Sequence, residues 1–473
     1  MKPASILSVF LLLPCASSSN GPDNRIASSS NLTSTSISIT SSTTKTPAPH
    51  FPPLPLTPDQ DNNFSTITSS QPPSTHSNNS FVIDTFKHRV HNDLGYWHGP
   101  GEDLPVEYGD GYVRLHPTDA DQNFHTQLAS AICFSLLPYR RKYLHIVFSG
   151  TTKFSISLNQ HNQDCDPLRN PYPATWDTVE AGRYARMNEI YVPLEHFSID
   201  QSRVVSVSFH GFYTRETLTL FKVEIVQGLP GGFPVPKKKI DNGRMVLRCN
   251  RPGSFAFGID DGQPEYAQEV MRILEEENVN VTFFVVGGGL RDQETNFSSV
   301  YREMLRRGHQ VALHSDSHPK MEALQTLEEI DAEIRKSVSA LKDILGVECT
   351  SSLPSSYHHL NKLSGTARYF RPPFGTVGAR MRQRLAALIR DPYIVNWSVD
   401  VEDWLWADSD TPEKQLEAFV RDVGRGGNLV VMHYLSPSTV EYFRELIHFA
   451  KAVGLQIMRV DQCIDDPESP PLA

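Results

Sequence analysis

Two adjacent carboxylates, Asp260 and Asp261, close the apolar run A-F-G-I-D-D-G at residues 256–262, and two histidines, His314 and His318, close V-A-L-H-S-D-S-H-P at 311–319. An apolar run ending in charge reads as a buried strand that delivers its last residues into a site, although Asp-Asp-Gly is also ordinary turn chemistry. Histidines four positions apart meet on one side of a helical turn. With one aspartate they supply two nitrogens and a carboxylate, a set that suits a catalytic divalent cation and leaves coordination positions open. The second aspartate is then free to move protons. The bare ligand set also fits a two-histidine, one-carboxylate oxygenase; the spare carboxylate and a further histidine, His433, favour hydrolysis.

Positioning such groups takes a scaffold, and the sequence from residue 249 onward supplies the pattern of one. Strands are expected at 254–259, 280–286, 310–313, 369–371, 394–399, 428–432 and 456–460, each followed by loop or amphipathic segment. Pro264 opens a helix with Ala267, Val270, Met271 and Leu274 on one face. Thr326 and Glu329 form a capping box for another, whose face is Leu327, Ile330, Ile334, Val338 and Leu341 and which ends before Gly346. Thr411-Pro412 and Ser436-Pro437 open two more. Seven strands alternating with helices predict a parallel β/α barrel or a doubly wound sheet, folds whose chemistry gathers at the C-terminal strand ends. Asp260 and Asp261 end the first strand, His314 the third, Arg371 the fourth, Asp400 the fifth and His433 the sixth, so one shared site is expected.

The rest of the 473 residues divides by texture. Residues 1–19 carry Lys2, a short apolar segment and small residues around a cleavage point, the pattern of a secretory signal peptide. Residues 20–80 are rich in Ser, Thr, Pro and Asn, with N-glycosylation sequons at Asn31, Asn63 and Asn78, and are read as a disordered, O-glycosylated spacer. Residues 81–228 hold short β-rich runs at 143–148, 154–158, 204–209 and 217–226, which predict an antiparallel β-sandwich. Its aromatics, among them Tyr96, Trp97, Tyr172, Trp176, Phe212 and Tyr213, read either as core or as sugar-stacking platforms. In texture it loosely resembles the carbohydrate-binding-like modules that accompany catalytic domains in secreted fungal enzymes. Residues 229–248, with L-P-G-G-F-P-V-P-K-K-K, read as a linker. No second apolar stretch is long enough to cross a membrane. A net charge of −10 argues against nucleic acid as a partner. With Cys15 leaving in the signal, pairs Cys133–Cys165 and Cys249–Cys463 are expected, each within one domain, with Cys349 unpaired.

Five motifs in order, G-I-D-D-G at 258–262, H-S-D-S-H-P at 314–319, R-P-P-F-G at 371–375, D-V-E-D-W at 400–404 and V-M-H at 431–433, make residues 249–473 resemble the polysaccharide deacetylases of carbohydrate esterase family 4, the NodB homology domain. The resemblance implies a distorted (β/α) barrel of about seven parallel strands, following the sandwich in a multidomain chain. It implies one divalent cation, Zn²⁺ with Co²⁺, Ni²⁺ or Mn²⁺ as alternatives, bound by Asp261, His314 and His318. It also implies hydrolysis of acetamide groups on an N-acetylglucosamine polymer such as chitin. In those terms Asp260 is the base, held charged by Arg371. The backbone N–H of Phe374 meets the oxyanion, and His433 protonates the departing amine. Asp400 is the first choice for the carboxylate that raises the His433 pKa, with Asp403 the alternative, itself free to pair with Arg371. Trp404 would wall the acetyl methyl, and Tyr434 is expected among the substrate contacts.

The chain departs from that pattern in places. Gly258 and Ile259 stand where Thr-Phe is usual, both as strand residues, and Phe374 replaces a common tyrosine while keeping the backbone donor. Tyr434 follows His433 where an acidic residue is frequent. Residues 350–366, with His358 and His359, read as an inserted loop, and the Asn396 sequon falls within a strand. Readings that compete with the secreted, monomeric deacetylase are an O-acetyl esterase on a xylan-like polysaccharide and a catalytically silent carbohydrate-binding protein.

Overall fold

Strands that alternate apolar and polar residues build the N-terminal half as two antiparallel sheets, in a computed structural model that describes residues 80–346 and 367–472. One sheet runs Val106–Gly109, Tyr112–Leu115, Leu218–Val226, Tyr143–Gly150, Glu189–Pro193, Ala185–Arg186, with Ser80–Asp84 paired to Leu218–Val226. The other runs His98–Gly101, Asn123–Gln127, Val204–His210, Ser155–Gln160, Thr175–Glu180. Phe124, Leu144, Ile146, Phe148, Ile156, Leu158, Val207 and Phe209 fill one core between them. The expected sandwich strands are present, each within one or two residues of its expected ends. Cys133–Cys165 is formed, and Cys249–Cys463 joins the two ends of the following domain. The N-terminal segments, Cys349, His358 and His359 lie outside the described residues.

The C-terminal half is one sheet whose strand pairs are all parallel. Its strands are β1 (Arg244–Val246), β2 (Ser254–Asp260), β3 (Thr282–Val285), β4 (Gln310–Leu313), β5 (Tyr369–Phe370), β6 (Tyr393–Val395), β7 (Val399–Asp400), β8 (Leu429–His433) and β9 (Gln456–Ile457). The order is β1-β6-β5-β4-β3-β2-β8-β7, with β9 added beside the start of β2. The path is open, a curled half-barrel. Strand β1 corrects the reading of 229–248 as pure linker, since three residues of it pair with β6. The strand expected at 394–399 is broken at Asn396, Trp397 and Ser398 into β6 and β7, and Val460 opens a short helix instead of ending β9.

Helices cover the sheet as the apolar spacing requires. Ala267–Glu276 buries Ala267, Val270, Met271 and Leu274. Leu327–Leu345 begins with the Thr326/Glu329 capping box and ends at Gly346 in the left-handed conformation. Its buried side is Ile330, Ile334, Ser337, Ala340 and Leu341; Leu327, in the first turn beyond reach of the core, is exposed. Among the described residues no helix is long and apolar enough to cross a membrane.

The two halves are stitched by buried polar groups. Asp177 of the sandwich lies 3.6 Å from Arg382 on the helix Ala379–Leu388 and is ion-paired with Lys239. Burial alone would raise the Asp177 pKa, but Arg382 and Lys239 hold it below the usual carboxylate value. Arg382, fully buried, also donates to the carbonyls of Asn242, Trp176 and Gly243. Trp176 packs in the core of the parallel domain, not in that of the sandwich.

Candidate active site

Parallel strands place their last residues at one end of the sheet, and adjacent register brings the reactive ones together. Asp260 on β2 stands beside His433 on β8, and Leu313 beside Phe370 puts His314 and Arg371 next to each other. Asp261, His314 and His318 offer ligand atoms within 4.8 Å of one another. His318 Nε2 is 3.3 Å from Asp261 Oδ2, and His314 Nε2 is 3.9 Å from Asp261 Oδ1.

The donor set fits a divalent cation. His314 Nδ1 donates to the Arg371 carbonyl at 2.7 Å, which leaves Nε2 with its lone pair toward the carboxylates. Burial lowers the His314 pKa and takes that of His318 to about 4, so both rings are neutral, the ligating form. Burial raises Asp261, with His314 and His433 opposing and Asp260 adding to the rise.

The two histidines do not share a helical turn. Ser315 and His318 both have left-handed backbone, with φ of 63° and 61°, and 314–318 is an irregular loop. Side chains bridge it where helix bonds would have been: Ser315 Oγ accepts from the His318 amide at 3.0 Å. Glu333, on the helix Leu327–Leu345, accepts from the Asp316 and Ser317 amides at 2.9 and 2.8 Å and from Ser317 Oγ at 2.7 Å. Sequence reasoning missed Glu333, because a charged residue on the polar side of an amphipathic helix reads as solvated surface.

Arg371 is sealed in the barrel. Its Nη1 donates to Asp260 Oδ1 at 2.7 Å, and the remaining donors go to the carbonyls of Gly258, Val395, Asn396 and Val430. The guanidinium lies 4.2 Å from the Phe284 ring centre. A Cβ at residue 258 would meet that guanidinium at 2.3 Å, so Gly258 is what lets arginine reach Asp260.

The carboxylate on His433 is Asp403, which corrects the first choice of Asp400. Asp403 Oδ1 pairs with His433 Nδ1 at 2.9 Å, and Oδ2 accepts from the His433 amide at 2.5 Å. Glu402, with φ of 55°, reverses the chain and starts the short helix Asp403–Trp406 with Asp403 at its head. Asp400 accepts from the Glu402 amide at 2.7 Å, which shapes that reversal, and its charge supports Arg371. Burial works against a charged His433, but Asp403 beside it, with Asp260 and Asp261 nearby, brings its pKa up to about 10.

Tyr434 does not face substrate. It is fully buried, its hydroxyl 2.7 Å from that of Tyr301, and a Cβ on Gly262 would overlap its ring at 1.9 Å. Tyrosine after His433 therefore fills the space that Gly262 leaves open. Phe374 and Trp404 are exposed, 48% and 44% respectively, and the Phe374 ring lies 4.7 Å from that of His318. Phe374 has left-handed backbone, φ 60°.

Comparison with known proteins bears on the same stretch. Residues 248–389 match the family model described as polysaccharide deacetylase. This part of the chain is similar to the polysaccharide deacetylases. A chitin deacetylase of Pestalotiopsis sp is 27% identical over 51% of this chain and 74% of its own length. One of Colletotrichum lindemuthianum is 25% identical over 53% of this chain and 97% of its own. A peptidoglycan-N-acetylglucosamine deacetylase of Listeria monocytogenes is 28% identical over 50% of this chain and 42% of its own length. The matched model spans the first three of the five motifs; the motifs at 400–404 and 431–433, and the sandwich, lie outside it.

Proposed function

We propose that this chain is a secreted, metal-dependent hydrolase that removes N-acetyl groups from chitin or a related N-acetylhexosamine polysaccharide and releases acetate. The observation that carries the reading is a pair of proton-handling partnerships, Asp260 with Arg371 and His433 with Asp403, beside one cation-binding trio. Nitrogen-rich donors favour Zn²⁺, and a bound divalent cation supplies Lewis-acid polarisation of the amide carbonyl and acidifies water.

Asp260, ion-paired to a cation that never releases its proton, accepts the proton of the attacking water. The Phe374 amide donates to the carbonyl oxygen as negative charge builds there. His433, fixed through Nδ1 on Asp403, delivers a proton from Nε2 to the departing nitrogen, so the C–N bond breaks to amine and acetate. Exposed Trp404 offers an apolar wall to the acetyl methyl. Two disulfides support export to an oxidising compartment.

Acetate release from N-acetylglucosamine oligomers by metal-loaded protein, beside Asp260→Asn, tests the reading. Release lost in the variant is the expected result. Acetate from acetylated xylan alone would make the enzyme an esterase, and none from either substrate would overturn the proposal.

A further inference from the structure

The outer face of the five-stranded sandwich sheet is polar, and it does not meet water as such a face ordinarily does. Leu158, Val207 and Phe209 point into the sandwich core, so Asn159, Ser208 and His210 alternate to the other side, where the deacetylase domain covers them. The cover leaves a cleft of about 880 Å³ between the two domains, lined on the sandwich side by these polar residues and on the barrel side by Phe374, Asn396 and Trp397. That volume lies in the range of small-ligand sites, roughly 300–1,000 Å³.

The strip of floor formed by Asn159, Ser157, Ser208, His125 and His210 is uncharged and preorganised, while the surrounding lining carries carboxylates and arginines, among them Glu102, Asp121, Glu402 and Arg421. Asn159 Nδ2 donates to Ser206 Oγ at 2.8 Å and also to Ser208 Oγ, Ser208 Oγ bonds His125 Nδ1 at 2.6 Å, and Ser157 Oγ bonds His210 Nε2 at 2.5 Å. Burial holds His125 down to about 3 and His210 to about 4, so neither carries charge at ordinary pH. Three lining groups keep unmet hydrogen-bonding capacity. The side-chain nitrogens of Asn123 and Asn396 donate to Asp121 and Gly375 carbonyls, but their oxygens have no partner, nor has the Tyr172 hydroxyl. Neutral hydroxyl and amide groups beside Trp397 and Tyr172 are the chemistry that recognises a pyranose, through its hydroxyls and its apolar ring face.

Phe374 lines this cleft and its ring lies 4.7 Å from that of His318, so the cleft and the metal trio adjoin across one side chain. We propose that the interdomain cleft is a saccharide subsite that holds one or two uncharged sugar units of the same polymer whose neighbouring unit sits at the metal trio. The identity of that polymer rests on the deacetylase reading. Under this inference the sandwich contributes a wall of the substrate groove and selects for chain length.

The test uses the full chain with its metal and soluble N-acetylglucosamine oligomers of two and five units. Tyr172→Phe removes one hydroxyl that has no internal partner, and Asn159→Ala removes the centre of the floor's network. Expected are rises in KM for the longer oligomer of about threefold and tenfold respectively, with kcat unchanged and the dimer unaffected. Equal losses on both oligomers would show that the cleft only supports the fold, and unchanged KM in folded variants would show that it holds only water; either overturns the subsite. If the wild type releases no acetate from any oligomer, the deacetylase reading fails on its own. The subsite is then judged by equilibrium binding of the longer oligomer, which Asn159→Ala should weaken about tenfold and which an unchanged affinity would refute.

Discussion

Two carboxylate–cation pairs serve the site, Asp260 with Arg371 and Asp403 with His433, and they are built to opposite specifications. The first is sealed: both side chains are almost wholly buried, and arginine's donors are all committed to carboxylate and carbonyls. The second faces outward, with the His433 side chain 21% exposed. A sealed arginine holds geometry and charge but cannot trade its proton, whereas an accessible imidazole with a raised pKa can. Under the proposed function, the contrast suits Asp260 to the base's role and His433 to the acid's.

The comparison breaks most visibly at Asp260. Asp260→Asn should lower acetate release by about 10³-fold while the protein keeps its metal, measured by turnover beside elemental analysis. Asp403→Asn should cost less, about 10²-fold at neutral pH, and should also move the alkaline limb of the pH–rate profile to lower pH. The sign follows from His433, whose folded pKa of about 10 lies above its ordinary 6.5. The stabilisation that accompanies this rise is complete below pH 6.5 and is lost as pH climbs through 10, so the variant should also lose part of its alkaline dependence of Tm. A cation bound to Asp261 would remove some of the support, which leaves Asp403 the larger share. A profile unmoved by Asp403→Asn would return the choice to Asp400.

Smaller effects sharpen the picture around the pairs. Glu333→Gln should weaken metal affinity about tenfold, read by competition with a chelator, because the loop carrying His314 and His318 loses its charged acceptor. Tyr434→Phe should cost about 1 kcal/mol of stability by denaturant melt and leave KM unchanged, since only the bond to Tyr301 is lost. A raised KM in that variant would restore Tyr434 to the substrate side.

Much of the site was legible because apolar runs ending in charge mark where strands stop, and in a parallel sheet all strands stop at the same end. Asp260, His314, Arg371, Asp400 and His433 could be placed together on that ground alone. The choice between Asp400 and Asp403 could not, since D-V-E-D-W offers acidic residues on both sides of a chain reversal that a left-handed Glu402 decides. Tyr434 misled because it follows His433 where an acidic residue is frequent, while its burial depends on space left by Gly262, far away in sequence. Strand β1 was hidden by its brevity among prolines and lysines, and the break at 396–398 by residues that suit a strand but turn there around Arg371. The reading of a helical turn for His314 and His318 failed because spacing alone cannot distinguish a helix from a loop tied by Glu333.

The buried partnership of Asp177 with Arg382 bears on how this protein could be divided. A module joined by a flexible tether can be cut away and leave its neighbour whole. Here the excision of the sandwich would take away Asp177, the main counter-charge of Arg382, together with the cover that keeps that guanidinium buried. It would also strip the covering from Trp176's place in the neighbouring core. Truncation at the 229–248 segment is therefore expected to yield an insoluble or misfolded catalytic half, so the unit that can be transplanted or redesigned is the pair of domains together.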